Sequence, residues 1–146
     1  MTSKYAEGTT VSVGRSRDEL ERTLERFGAN GQSWMRDDEK GITTMAFRRR
    51  GKTYMFTIAV PPLADFVKTP SKRYSRSQED AKVHQDAELR RRFRSLANYI
   101  KALLDATDTG IIKAEEALLP YLVLPGGKTF YEEVVAGRQI SLPPGE

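Results

Sequence analysis

The sequence predicts an α+β fold: one antiparallel sheet of about four strands in the order β-α-β-β-β-α, packed by two main helices, with short C-terminal helices. Three observations lead to this prediction. An amphipathic helical pattern ends near Gly28. Three runs of alternating apolar and polar residues, joined by short turns, follow it. A long stripe of apolar residues at helical spacing then begins at Leu89. A sheet that carries helices on one face belongs to this two-layer class.

The first two predicted elements are a strand and a helix. The stretch TTVSVG, Thr9 to Gly14, is rich in β-branched residues and predicts a short strand. Ser16 and Glu19 form a capping-box pattern, so we expect a helix to begin there and Gly28 to follow its end. The apolar face of this helix consists of Leu20, Leu24 and Phe27.

A three-strand meander is predicted from Gly31 to Pro62. The segments DDEKG and RRGK are turn-like and too short for crossovers, so the strands are antiparallel. Alternate residues of the last strand share one face, and Pro61-Pro62 ends the strand. The shared face consists of Tyr54, Phe56, Ile58 and Val60.

The segment from Leu63 to Val83 is a polar connection rich in Ser, Lys and Arg. Connections of this length in a small domain are usually functional or disordered. We expect residues 63–83 to be flexible within a single domain spanning 1–146, and residues 137–146 to form a loose tail.

The longest predicted helix starts at Gln85 and ends before Gly110. Its buried stripe has helical spacing, and a short helix limited by Pro120 follows. A Pro-Gly-Gly turn then leads to a last short helix, for which Thr129 and Glu132 form a second capping box. The stripe consists of Leu89, Phe93, Leu96, Ala97, Ile100, Leu103 and Leu104.

Composition restricts the compartment and the chemistry. The chain contains no cysteine, which excludes disulfides, thiolate metal sites and a cysteine nucleophile. The first ten residues lack the apolar segment of a signal peptide. The longest mostly apolar run is too short to span a bilayer and contains two prolines. We therefore expect a cytoplasmic protein without a membrane partner.

Two GKT triplets, at Gly51 and Gly127, fail the test for a phosphate-binding P-loop. That loop needs a glycine five positions earlier, where this chain has Ala46 and Leu122. Two glycine turns are the simpler interpretation, although Lys128 beside the last short helix remains a candidate for binding an isolated anion.

No catalytic or metal-binding set is apparent among the histidine and the carboxylates. His84 is the only histidine and is interpreted as a surface residue, because a zinc site needs several nitrogen or sulfur ligands. Consecutive acids in a turn point in different directions, and acidic pairs on helices are typical of a solvated surface. We expect no enzymatic activity and no cofactor. The acidic groups are Asp37-Asp38-Glu39, Glu115-Glu116 and Glu132-Glu133.

Positive charge is concentrated in the middle of the chain. The net charge is +4, but Arg48 to Lys101 holds fourteen Lys and Arg against five Asp and Glu. Such an asymmetry favours a polyanionic partner, while charges that spread over a solvated surface are the alternative. The candidate nucleic-acid-binding residues are Arg48, Arg49, Arg50 and Lys52 in the hairpin, Lys72, Arg73 and Arg76 in the connection, and Arg90, Arg91 and Arg94 at the start of the long helix.

Arginine pairs two phosphate oxygens at once, and aromatic residues interleaved with it can stack bases. Phe47, Tyr54 and Tyr74 are the candidates, although Phe47 and Tyr54 also suit the core. Strand alternation sends Arg49 to the side opposite Arg48 and Arg50. Arginine at a helix N-terminus is electrostatically unfavourable, so it must be compensated or tolerated for function.

The order of several segments resembles a family of small, largely uncharacterised proteins encoded by bacteriophages and prophages. The segments are VSVGRSRDELERTLERFGA, ELRRRFRSLANYIKALLDATDTGI and EEALLPYLVLPGGKTFYEEV. The resemblance covers most of the chain and implies action in the cytoplasm of an infected bacterium. It supplies no site residues.

Charge and resemblance together predict a non-enzymatic phage protein that binds nucleic acid. DNA is the favoured partner over RNA, and the protein would be an accessory of replication or recombination. The alternative is an anti-defence protein that inhibits an acidic host protein or sequesters a nucleotide signal. A homo-oligomer formed through the exposed face of the sheet is left open.

Overall fold

The computed structural model describes residues 9–69, 71 and 73–138 and confirms an α+β fold with one antiparallel sheet. The sheet has three strands rather than four, in the order β1-β2-β3. Two main helices, α1 and α3, pack against each other. The elements are α1 Val13–Arg26, β1 Gly31–Asp37, β2 Ile42–Arg49, β3 Lys52–Ala59, α2 Ala64–Val67, α3 Gln78–Asp108, α4 Ala114–Leu118, a 3₁₀ turn Leu119–Tyr121 and α5 Phe130–Val135.

The predicted first strand, Thr9 to Gly14, is wrong, because α1 already begins at Val13. The side chain of Ser12 accepts a hydrogen bond from the backbone N–H of Arg15 and caps this helix. Ser16, the predicted cap, is instead a buried residue inside the helix. Gly28 does follow the helix end and has a positive φ of 97°, as the sequence predicted.

The meander is confirmed, and its two faces differ in burial. Phe47 lies beside Tyr54 and Phe56 on the face that α1 and α3 cover, with Phe47–Tyr54 ring centroids 5.3 Å apart. Trp34 of β1 stacks on Phe93 of α3 at 5.9 Å. The opposite face, which we call the open face, carries no helix among the described residues. Tyr54, Phe56 and Ile58 are buried as predicted, while Val60 lies beyond the end of β3.

The β2–β3 turn has an unusual backbone. Arg50 and Gly51 both have positive φ, 52° and 75°, which is the pattern of a two-residue type I′ hairpin turn. This turn matches the twist of antiparallel strands, but it holds a bulky side chain at Arg50 where Asn, Asp or Gly is usual.

Helix α3 begins at Gln78, earlier than the predicted Gln85. The Ser77 side chain caps it by accepting a hydrogen bond from the backbone N–H of Asp80. The arginines from Arg90 onward therefore lie in the helix interior, and the predicted conflict with the helix N-terminus does not arise. Glu79 and Asp80 occupy the first turn, where negative charge is favourable. The rest of the connection contains α2 and a bridge between Lys68 and Ser75.

The C-terminal elements follow the prediction closely. Gly110 follows the end of α3 with a positive φ, and Thr129 and Glu132 form the expected capping box of α5. Leu122 forms a single bridge with Tyr54 at the edge of β3. The predicted loose tail falls almost entirely on residues 139–146, outside the described residues. None of the described helices has the length and apolarity to cross a membrane.

Candidate anion-binding site

The candidate basic residues divide between two ends of the sheet. The Arg92 side chain donates to the carbonyl of Ala59, the last residue of β3, whereas Lys52 is its first residue. Seven strand steps separate these residues by about 23 Å. The hairpin arginines and the helix arginines therefore do not form one continuous track along the strand.

At the hairpin end, Arg49 turns to the covered face, as alternation predicted. Its Nε donates to the Phe27 carbonyl oxygen at 3.2 Å, and its guanidinium lies 4.4 Å from the centroid of the Phe27 ring. Only 13% of the side chain is exposed. Arg49 thus joins the hairpin to the end of α1 and is poorly placed to bind a phosphate from solvent.

Glu115 of α4 offsets part of the remaining hairpin charge. One carboxylate oxygen lies 3.8 Å from Arg49 Nη1 and 3.5 Å from Arg50 Nη1. A hydrogen bond from its own backbone N–H, and then the nearby Arg49, Arg50 and Lys52, hold the pKa of Glu115 below its usual value. The side chain of Arg48 lies on the open face and has no partner among the described residues.

At the other end of the sheet, the Arg76 side chain links several parts of the connection by hydrogen bonds. Its Nη1 donates to the carbonyl oxygens of Phe66 at 3.0 Å and Lys68 at 3.3 Å, and its Nε lies 3.9 Å from Asp80. These bonds satisfy carbonyls at the end of the short helix α2. They also hold the guanidinium in one position beside α3.

The arginines of α3 have different environments. Arg91 and Arg92 both donate to Glu88, and the bond from Arg91 is the main cause that lowers the pKa of that carboxyl. Arg94 lies 2.9 Å from Glu19 of α1 and is 12% exposed, so it joins the two helices. Arg90 has no hydrogen-bond or ion-pair partner within the described ranges.

A cleft of about 460 Å³ brings three of the candidate arginines together. It lies between residues 9–10, α2 and the first half of α3. Three guanidinium groups line it, and the one carboxylate of the lining, Glu88, already bonds two arginines. The cleft is therefore positively charged. Its lining consists of Thr9, Thr10, Phe66, Arg76, His84, Ala87, Glu88, Arg90 and Arg91.

Six of these lining residues were not among the sequence-based candidates: Thr9, Thr10, Phe66, His84, Ala87 and Glu88. The signal for His84 was present, since residues 84, 87, 88 and 91 have the spacing of one helical face. His84 was interpreted as a surface residue, and its side chain is 47% exposed. Its shared helical face was not recognised, because the helix was expected to start at Gln85. Thr9 and Thr10 approach the cleft only through the tertiary fold, which no local pattern reveals.

The predicted aromatic platform is reduced to one residue. Phe47 and Tyr54 are buried in the core, while Tyr74 is 69% exposed. Tyr74 is two residues before Arg76 and follows Arg73, whose exposed side chain has no partner within the described part of the chain. Lys72, the remaining candidate, lies outside the described residues.

A larger cleft, of about 640 Å³, lies between the β1–β2 turn, the segment after β3 and α3. Its charges are mixed and mostly paired: Arg36 lies 2.8 Å from Asp38, and Lys82 lies 3.2 Å from Asp86. It therefore offers no net attraction for an anion. Within the described ranges, no group of three or more His, Asp and Glu is arranged to hold a metal.

Comparisons with protein-family models, with curated proteins and with solved structures found no match to this chain.

Proposed function

We propose that the chain is a non-enzymatic phage protein that binds the phosphate groups of a nucleic acid in the host cytoplasm. The observation that carries the proposal is the convergence of Arg76, Arg90 and Arg91 on one cleft. Residues separated along the chain form this cleft, and Glu88 and Asp80 offset only part of its positive charge.

The three arginines suit this task in complementary ways. Arg76 is held by carbonyl oxygens, so little side-chain entropy is lost when an anion binds. Arg90 keeps its donors available for phosphate oxygens, and the planar fork of a guanidinium can bond two of them. The Thr9 and Thr10 hydroxyls can donate further bonds.

The exposed segment that leads into Arg76 suits a single strand. Tyr74 and Arg73 precede Arg76 and expose an aromatic ring and a cation. Base stacking on an aromatic ring, combined with backbone electrostatics, holds single strands with little sequence preference. Arg48, Arg50 and Lys52, at the other end of the sheet, are a secondary contact for longer strands.

A second candidate function is sequestration of a nucleotide signal, which would make the protein an anti-defence factor. The observation in its favour is that the basic groups converge on one cleft instead of following a long track. Its volume of about 460 Å³ lies in the range of small-ligand sites. Under this alternative one nucleotide saturates the protein, whereas a strand binder gains affinity as the oligonucleotide lengthens.

The experiment is an affinity measurement with single-stranded DNA, double-stranded DNA and RNA of matched length at two salt concentrations. We expect binding that weakens steeply with salt, because each phosphate contact releases counterions. Arg90→Gln should reduce the slope of log affinity against log salt by about one. Arg22→Gln is the matched control, because Arg22 is an exposed arginine of α1 outside the cleft.

The outcomes separate the candidates. Absence of binding to all three polymers at low salt would contradict the proposal. Tight binding of a mononucleotide, with no gain from longer oligonucleotides, would establish the second candidate instead.

A further inference from the structure

The open face of the sheet is weakly polar, and no helix of the described residues covers it. At its centre lie the small side chain of Ala46 and the side chain of Met55, and Met35 of β1 is 72% exposed. The other positions are mainly Thr, Ser, Ala and Gly. The centre of this face is therefore uncharged and partly apolar.

The two charged side chains of this face lie at its opposite ends. Arg48 pairs in register with Gly31 at the hairpin end, while Asp37 pairs with Ile42 at the other end. Six strand steps place the two charges about 20 Å apart. Arg48 has no partner among the described residues, and Asp37 accepts one bond from the Lys40 backbone N–H.

We propose that two copies of this chain stack open face to open face. A two-fold axis that lies between the sheets and runs across the strands reverses the strand direction of one copy relative to the other. Each Arg48 then lies near Asp37 of the second copy, and the uncharged centres meet. The charge pattern is self-complementary, as an isologous interface requires.

The area of the face sets the strength of this dimer. Three strands of seven or eight residues cover about 14 Å by 25 Å, or about 350 Å² per copy. Standard interfaces bury about 800 Å² per partner. The dimer is therefore weak, with a dissociation constant on the order of 100 µM.

The same axis has a consequence that rests on the proposed function. It brings the hairpin end of one copy to the end of the assembly that holds the cleft of the other copy. Within one chain the sheet separates the hairpin from the cleft. In the dimer, Arg50 and Lys52 of one copy lie at the same end as the cleft of the other copy and can serve one strand, while each Arg48 faces Asp37.

The test is sedimentation equilibrium of the full chain from 10 µM to 1 mM at low salt, without nucleic acid. We expect a reversible monomer–dimer equilibrium. Arg48→Asp and Asp37→Lys should each weaken dimerisation at least tenfold, because each places like charges opposite one another. Thermal unfolding of each variant reports whether the fold is retained.

The decisive arm mixes these two variants in equal amounts. In the mixed dimer both pairs again join opposite charges, so association should return toward the wild-type strength. Arg22→Asp, with the same change in net charge on α1, should dimerise like wild type.

Three outcomes would overturn the proposal. The first is a protein that stays monomeric throughout the concentration range. The second is a dimer whose dissociation constant neither substitution changes. The third is a mixture of the two variants that dimerises no more strongly than either variant alone. Protection of the Met35 and Met55 methyl groups from a soluble paramagnetic probe in a monomer would also overturn it, since another segment of the chain would then cover the face.

Discussion

Arg48, Arg49 and Arg50 are consecutive, yet the structure gives each a different environment. Arg48 is exposed on the open face, Arg49 is packed against Phe27, and Arg50 occupies a left-handed turn position next to Glu115. Strand alternation predicted which arginine would turn inward. The partners that hold it there come from α1 and α4, so no local pattern revealed them.

Arg49 should contribute to stability, whereas Arg48 should not. Arg49→Gln removes a charged hydrogen bond and a cation–π contact, and we expect it to lower the free energy of unfolding by about 1–2 kcal/mol. Arg48→Gln should change it by less than about 0.5 kcal/mol. Urea denaturation measures both. Equal effects of the two variants would contradict the assignment of Arg49 to the covered face.

Replacing Arg50 should stabilise the hairpin. Asn tolerates positive φ better than Arg, and the ion pair lost with Glu115 is exposed and therefore weak. We expect Arg50→Asn to raise the free energy of unfolding by about 0.5 kcal/mol, within the range of turn optimisations. A clear loss of stability would mean that the contact with Glu115 outweighs the backbone strain.

At the scale of elements, the sequence predicted the meander, the end of α1, the end of α3 and the cap of α5. These features depend on signals within a few residues: alternation, a glycine after a helix, and a capping box. The start of α1 was misplaced because Ser12 and Ser16 are both plausible caps, and only packing decides between them. A β-branched run without a neighbouring strand does not form a strand on its own.

Helix α3 carries an interaction whose strength depends on pH. The pKa of Glu88 is lowered in the folded chain, chiefly by the hydrogen bond from Arg91. Its stabilisation is therefore present above the unfolded pKa and is lost as pH falls through the folded pKa. We expect Glu88→Gln to cost about 1–2 kcal/mol near pH 7 and less near pH 3, which lies below the unfolded pKa.

Chemical denaturation of wild type and Glu88→Gln across this pH range provides the check. Glu116→Gln, on an exposed residue of α4 with no described partner, is the matched control and should be neutral throughout. A penalty for Glu88→Gln that persists unchanged at pH 3 would show that the carboxylate does not act through its charge.

At the scale of the whole molecule, the basic residues fall into two groups that the sequence could not separate. Arg50 and Arg76 belong to one basic stretch of sequence, but β3 and the connection carry the chain from one end of the sheet to the other. Local charge density therefore predicted an anionic partner without locating its site. The cleft depends on the full course of α3 and on contacts with residues 9–10 and α2.

The proposed function requires phosphate to bind in the cleft lined by Arg76, Arg90 and Arg91. The most direct measurement is an NMR titration of ¹⁵N-labelled protein with a short single-stranded oligodeoxynucleotide at low salt. We expect the largest amide shifts at Thr9, Thr10 and residues 84–91, and their loss in Arg90→Gln. Shifts confined to the hairpin at residues 48–52, or no shifts at saturating oligonucleotide, would contradict the claim.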